Sequence, residues 1–263
     1  MDFTRFVGIR QPPTFVAMPV LHLFVVLVAA DPGTWSAARE LAAPEAHQAA
    51  AADERFLYAI ANKQVAKYDR ITAARIALST GRAEHLNSGF LWEGRLYCAH
   101  SNYPQLPERS EIKVLDTDSM QLSTYHDFGS YGGSLTWCLR KEGRWWCHFA
   151  KYGADNGQSF LVEFADGWKE LRRFTWPEEV LDRIGRNSLS GGVWQKEVLL
   201  ATGHDDPVLF RVRLPEQGSV LQFVDTQKIP FTGQGIAVDQ VSGGLIGIHR
   251  KRKQLILAQP PGM

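Results

Sequence analysis

RLYCAHSN (Arg95–Asn102) and RWWCHFAK (Arg144–Lys151) are two statements of one pattern. RFLYAIAN (Arg55–Asn62), VLLATGHD (Val198–Asp205) and LIGIHRK (Leu245–Lys251) repeat it, so it occurs five times along the 263 residues. Each copy is an apolar strand that ends in polar groups. A small-residue apolar segment stands before each: HQAAAAD, NSGFLW, GGSLTW, LSGGVW and GQGIAVD. A third apolar run follows every copy, and a fourth follows the first four. A four-strand unit recurring at roughly 40–57 residues is a radial array of small sheets, an all-β fold of the five-bladed β-propeller type.

The blades follow from the runs. Blade one spans Glu45 to Ser79, blade two His85 to Phe128, blade three Tyr131 to Trp176 and blade four Ser188 to Pro230. Blade five begins after Gln234 and has three strands, at Gly235–Val238, Leu245–His249 and Gln254–Ala258. The unassigned segment Trp35–Leu41 supplies the missing strand, because pairing the two termini removes an open edge. A six-bladed ring would need one more unit, and no uncounted segment is long enough. Glu93-Gly94, Glu142-Gly143 and Ser242-Gly243-Gly244 read as hairpin turns between first and second strands. Pro177–Gly185, between blades three and four, reads as a short helix with proline and two glutamates in its first turn.

The composition is 44% apolar and 22% charged, with a net charge of +1. Nucleic acid is excluded as a partner, since it wants a basic stripe. Arg5 and Arg10 precede an apolar stretch, Phe15 to Ala30, that ends in small residues. This order is that of a secretory signal peptide, residues 1–30, cut near Ala30. The mature chain, 31–263, is then expected as one monomeric domain in the periplasm or outside the cell, with no stable membrane insertion after cleavage. An uncleaved N-terminal anchor is the competing reading. Three cysteines, Cys98, Cys138 and Cys147, make no framework and read as small buried hydrophobes. Cys138 and Cys147 fall on neighbouring strands, where an oxidising compartment would allow one disulfide.

An up-and-down blade sends its loops to two faces. First-to-second and third-to-fourth turns share one face, and these are generic. Second-to-third loops and blade connections share the other, which collects five of the eight histidines. Function usually sits on loops held by a rigid scaffold, so this face is the candidate site. Its densest cluster is Thr202-Gly203-His204-Asp205-Asp206-Pro207. A carboxylate beside an imidazole can orient it as a general base, which makes His204, Asp205 and Asp206 the candidate catalytic residues. The other reading is a turn whose aspartates bind backbone N–H groups. His100, Asn102, Arg186, Gln234, His249 and Arg250 occupy matching loops and are candidate substrate-binding groups. Glu45, His47 and His85 stand at the innermost strands and offer ligands for a divalent cation in the central channel. A channel of mutually satisfied polar groups is the alternative. His148, inside Trp145–Phe149, reads as a packed strand histidine. No GxSxG, P-loop or GxGxxG motif occurs.

The blade count and the segment Phe231-Thr232-Gly233-Gln234-Gly235 resemble the plant-type glutaminyl cyclotransferases, which are secreted five-bladed propellers. The mixed Glu, Asn and Asp groups of the channel also resemble the gluconolactonase and lactonizing-enzyme propellers, which hold a divalent cation there. The resemblance implies counterparts at Glu45, Asn87, Gln234 and Asp205, without the full acidic and asparagine set of the lactonases. It implies an exported cyclase, cycloisomerase or lactone hydrolase acting on a small polar molecule. The alternative is a non-catalytic propeller that binds a sugar or glycan, a peptide or a partner protein on the same face.

Overall fold

Small residues run down the middle of the ring because nothing larger fits. Ala49–Ala52 forms the innermost strand of blade one, and all four alanines are buried. A Cβ on Gly235 would stand 2.5 Å from the Cβ of Ala49, and one on Gly192 would stand 2.9 Å from the ring of Trp137. The centre is therefore built from backbones at close approach, and the bulky side chains fill the spaces between blades.

The computed structural model describes residues 1–2 and 33–262. The expected leader and its cut near Ala30 lie outside the described residues. Five antiparallel four-stranded sheets make up the molecule. Their innermost strands are Ala49–Ala52, His85–Trp92, Ser134–Lys141, Gly191–Gln195 and Ala237–Val238, and each touches the next around the ring. This is the five-bladed propeller that the five-fold pattern implies.

The last blade closes as expected. Ser36–Ala42 pairs antiparallel with Gln254–Gln259, with Leu41 opposite Leu255 and Glu40 opposite Ile256. The buried ring of Trp35 fastens this strand to blade four through an Nε1–H bond of 2.9 Å to Gln227 Oε1. Blade two is longer than its apolar run suggests, with strands at His85–Trp92, Arg95–Ser101, Ser110–Asp116 and Gln121–Gly129. The expected helix spans Glu178–Ile184 on the histidine-bearing face and buries Val180 and Ile184. A 3-10 turn at Gly153–Gln158, unexpected from the sequence, packs beside it: Asn156 Nδ2 donates to the carbonyls of Gly185 and Asn187, at 2.7 Å each. Cys138 lies directly opposite Cys147, and both are buried free thiols, as is Cys98. Among the described residues, no helix is long and apolar enough to cross a membrane.

Candidate functional site

Two loops build the site by packing backbone on backbone. Val198–Thr202 ends at Gly203-His204-Asp205, and Phe231–Gly235 leads into blade five. The N–H of Gln234 donates to the Gly203 carbonyl at 2.8 Å, and Thr202 Oγ1 donates to the Gln234 carbonyl at 2.5 Å. Gly233 has φ +64°, and a Cβ there would lie 2.7 Å from the Gly203 oxygen. Only glycine lets the loops approach this closely in that conformation.

On this base sits a chain of six side chains, running from Asp205 to Gln48. His204 Nδ1 is 2.6 Å from Asp205 Oδ2. Its Nε2 faces Arg250 Nη1 at 3.3 Å, and Arg250 Nη2 faces His47 Nε2 at 3.3 Å. His47 Nδ1 is 3.1 Å from Asn62 Oδ1, which also accepts from Gln48 Nε2 at 2.7 Å. A guanidinium can only donate, so both rings offer it a lone pair at Nε2 and carry their proton at Nδ1. One tautomer thus satisfies each ring. Burial, followed by the charges of Arg250 and Lys253, holds the His47 pKa below its ordinary value. Burial lowers His85 as well, with smaller contributions from His47 and Arg250.

His204 and Arg250 stand between two cavities. The outer one, about 680 Å³, is lined by His47, Asp205, Thr232, His249, Lys251 and Lys253 as well as these two. The inner one, about 140 Å³, lies at the channel mouth. Gln48, Asn62, Asn87, Asn187, Ser188 and Ser190 line it with amides and hydroxyls, and His85, Tyr103 and Tyr152 form an aromatic side. The ring centroids of Tyr103 and Tyr152 are 4.9 Å apart, and His85 lies 5.4 Å from Tyr103. Tyr152 falls on the loop face that strand order picks out, beside Lys151, whereas nothing in the sequence marks Tyr103 as a site residue. Thr136 also lines this cavity, and its Oγ1 lies 2.8 Å from Nδ1 of the fully buried His148. The opposite face, read as generic turns, holds a mainly apolar cavity of about 150 Å³ between the innermost strands. Its one charged group, Arg140, stacks over Trp92 and Trp145, so no proton-transfer chemistry is gathered there.

Several expected site residues do other work. Glu45 is not beside His47 and His85: its carboxylate accepts from Tyr68 and from Arg75 Nη1 at 2.6 Å. Burial pushes its pKa up, but the bonds from Tyr68 and Arg75 outweigh this and hold it below the ordinary range. The expected trio Glu45, His47 and His85 therefore shares no point where a cation could sit. Among the described residues, no group of three or more His, Cys, Asp or Glu converges to hold a metal ion. His100 lies inside the lengthened strand Arg95–Ser101, where its buried Nε2 accepts the Glu84 N–H at 2.9 Å. Burial, then Lys113, push its pKa down to about 4. Asn102 closes its own loop, accepting from Arg109 N–H at 2.8 Å and donating to the Pro107 carbonyl at 3.1 Å. Gln234 is buried, and its Nε2 donates to the His204 carbonyl. It positions the loop and does not face the cavity. Asn87 donates to the Leu135 carbonyl at 2.9 Å while its side lines the inner cavity. Arg186 and Asp206 line a third cavity of about 270 Å³ beyond His204 and beside the helix. His249 lines the outer cavity, and its Nδ1 accepts the Arg252 N–H at 3.3 Å.

No protein-family model matches the chain, and no curated protein resembles it in sequence. Solved structures share its fold. The glutaminyl cyclase of Myxococcus xanthus superposes with a TM-score of 0.57 at 12% identity, over 87% of this chain and 98% of that one. A chain of the mitotic checkpoint complex gives a TM-score of 0.46 at 11% identity, over 97% of this chain and 98% of that one. At 12% identity the likeness to the cyclase is one of fold.

Proposed function

We propose that this chain is an exported propeller enzyme that moves a proton on a small polar substrate at the histidine-bearing mouth. Cyclase, cycloisomerase and lactone hydrolase are the reaction types in view. The observation that carries this reading is the 2.6 Å contact between His204 Nδ1 and Asp205 Oδ2. A carboxylate at Nδ1 fixes the tautomer, directs the Nε2 lone pair inward and stabilises the imidazolium that forms when a proton is taken. All three reaction types need such a base to activate an attacking amine, water or carbon acid. The adjoining cavity, rich in amides and hydroxyls, suits a small molecule or glycan fragment that hydrogen-bonds along its length. The glutaminyl cyclase of similar fold makes N-terminal glutamine peptides a sensible first substrate panel. Export to the periplasm or beyond is proposed from the order of charges and apolar residues in Met1–Ala30.

The test is a turnover screen of the purified protein against lactones and peptides with N-terminal glutamine. Activity that falls on the order of a hundredfold in His204→Gln, the low end for a lost general base, supports the reading. Activity untouched by that substitution refutes it. Ligand binding without turnover in either panel leaves a binding propeller instead.

A further inference from the structure

The lip of the outer cavity is a turn of consecutive cations. His249 pairs with Gln254 at the end of the last hairpin, so Arg250-Lys251-Arg252-Lys253 is the turn itself. The Arg250 N–H donates to Thr232 Oγ1 at 3.2 Å, which ties the turn to the loop under His204. Arg252 points away and reaches Glu40 at 3.6 Å. Among the described residues, Arg250, Lys251 and Lys253 form no ion pair with a carboxylate, and all three line the outer cavity. The one carboxylate lining that cavity, Asp205, is held by His204. Three permanent cations against one carboxylate leave a surplus of two positive charges.

Resting on the reading of this mouth as a substrate site, we propose that the substrate carries a dianionic tetrahedral group, a phosphate or sulfate ester, which docks on Arg250, Lys251 and Lys253. A dianion balances the surplus, whereas a monocarboxylate leaves half of it. A guanidinium fork and two ammonium groups are the ordinary way to hold such a group. The position of Arg250 adds to this. Its two N–H groups rest on imidazole nitrogens at 3.3 Å, long contacts compared with the ~2.7–2.9 Å of a charge-assisted bond to an oxyanion. An arriving dianion therefore draws the guanidinium off both rings. That frees the Nε2 lone pairs of His204 and His47 as the substrate is anchored. A large polyanion is disfavoured, because the cationic patch is one turn on a chain of net charge +1.

Calorimetric titration of the purified protein with inorganic phosphate, inorganic sulfate and acetate tests this at low salt. Phosphate or sulfate is expected to bind with a Kd below about 1 mM, and acetate about tenfold more weakly or not at all. Arg250→Gln should weaken the dianion about tenfold, since it removes a charged fork. The double variant Lys251→Gln with Lys253→Gln alters exposed side chains, so it should fold and still weaken binding severalfold. Lys169→Gln, exposed on the opposite face, should change nothing. If Arg250→Gln fails to fold, the lysine pair decides. Phosphate binding above sulfate names a phosphate ester, and the reverse names a sulfate ester. No dianion binding, equal binding of acetate, or binding indifferent to these variants overturns the proposal. A protein that binds dianions but turns nothing over loses only the catalytic reading. One that turns over neutral lactones and binds no dianion loses only this one.

Discussion

Gln234 donates its side-chain Nε2–H to the backbone carbonyl of His204. The residue before it, Gly233, lies with φ +64° under the same carbonyl, where a Cβ would meet the Gly203 oxygen at 2.7 Å. The position of the candidate base is thus set from blade five, thirty residues further along the chain. Gly233→Ala combines a left-handed conformation with a backbone clash and should cost about 3 kcal/mol of stability. Gln234→Ala should cost less stability but displace His204, lowering turnover without a matching loss of Tm. Thermal unfolding read beside activity separates the two. Equal and small effects in both variants would mean the loops are held by something else.

Asp205→Asn isolates the tautomer. Asparagine keeps the shape, but its amide can present an N–H to Nδ1 and turn the imidazole proton to Nε2. The expected result is a rate loss close to that of His204→Gln with KM nearly unchanged. Tm should shift little, since the Asp205 side chain is 64% exposed. A raised KM at constant kcat would make Asp205 a binding group.

The ring and its closure were legible because they depend on short-range pattern. Ala49–Ala52 and Gly191-Gly192 announce crowded inner strands, and Trp35–Leu41 is a segment that belongs to no other blade. The loop face was legible for the same reason, since strand order alone sorts loops between faces. The partners within it were not. Glu45 meets Tyr68 and Arg75, which lie on the third and outermost strands of blade one, and spacing along the chain does not reveal that contact. His100 looked like a loop residue, yet Arg95–Ser101 pairs through to Ser110, which leaves its ring buried in the blade. Arg250 joins His204 to His47 across blades four, five and one. Nothing local marks a bridge between residues so far apart.

Closure from the N-terminus makes a stability prediction. Trp35 is buried and bonded to Gln227 of blade four, while its strand completes blade five. Trp35→Ala should cost about 3–5 kcal/mol, the range for deleting a buried aromatic. Arg39→Ala removes an exposed side chain of the same strand and should cost well under 1 kcal/mol. Urea unfolding of the two variants checks this. Similar midpoints would show that the strand contributes little to holding the ring shut.

His148 makes the last prediction, on pH. Its ring is fully buried against Trp137, with centroids 5.3 Å apart and planes 7° from parallel. Thr136 Oγ1 donates to the Leu189 carbonyl at 2.7 Å, so at 2.8 Å it accepts from His148 Nδ1–H. Nε2 then holds a lone pair in an aromatic setting, with no acceptor for a second proton. Burial pushes the pKa down from 6.5 to about 3. Between those values the unfolded chain binds the proton and the folded one does not. The stabilisation is whole above pH 6.5 and is lost as pH falls toward 3, at about 1.4 kcal/mol per pH unit. His100, lowered to about 4, adds a second proton over the upper part of that window. Urea midpoints should therefore fall steadily from pH 6.5 to 4.5. His148→Asn keeps a donor to Thr136 and removes the titration. It should be less stable at pH 7.5 yet lose stability more slowly on acidification, by about one proton's worth of slope. An unchanged slope in His148→Asn would move the acid sensitivity to other groups.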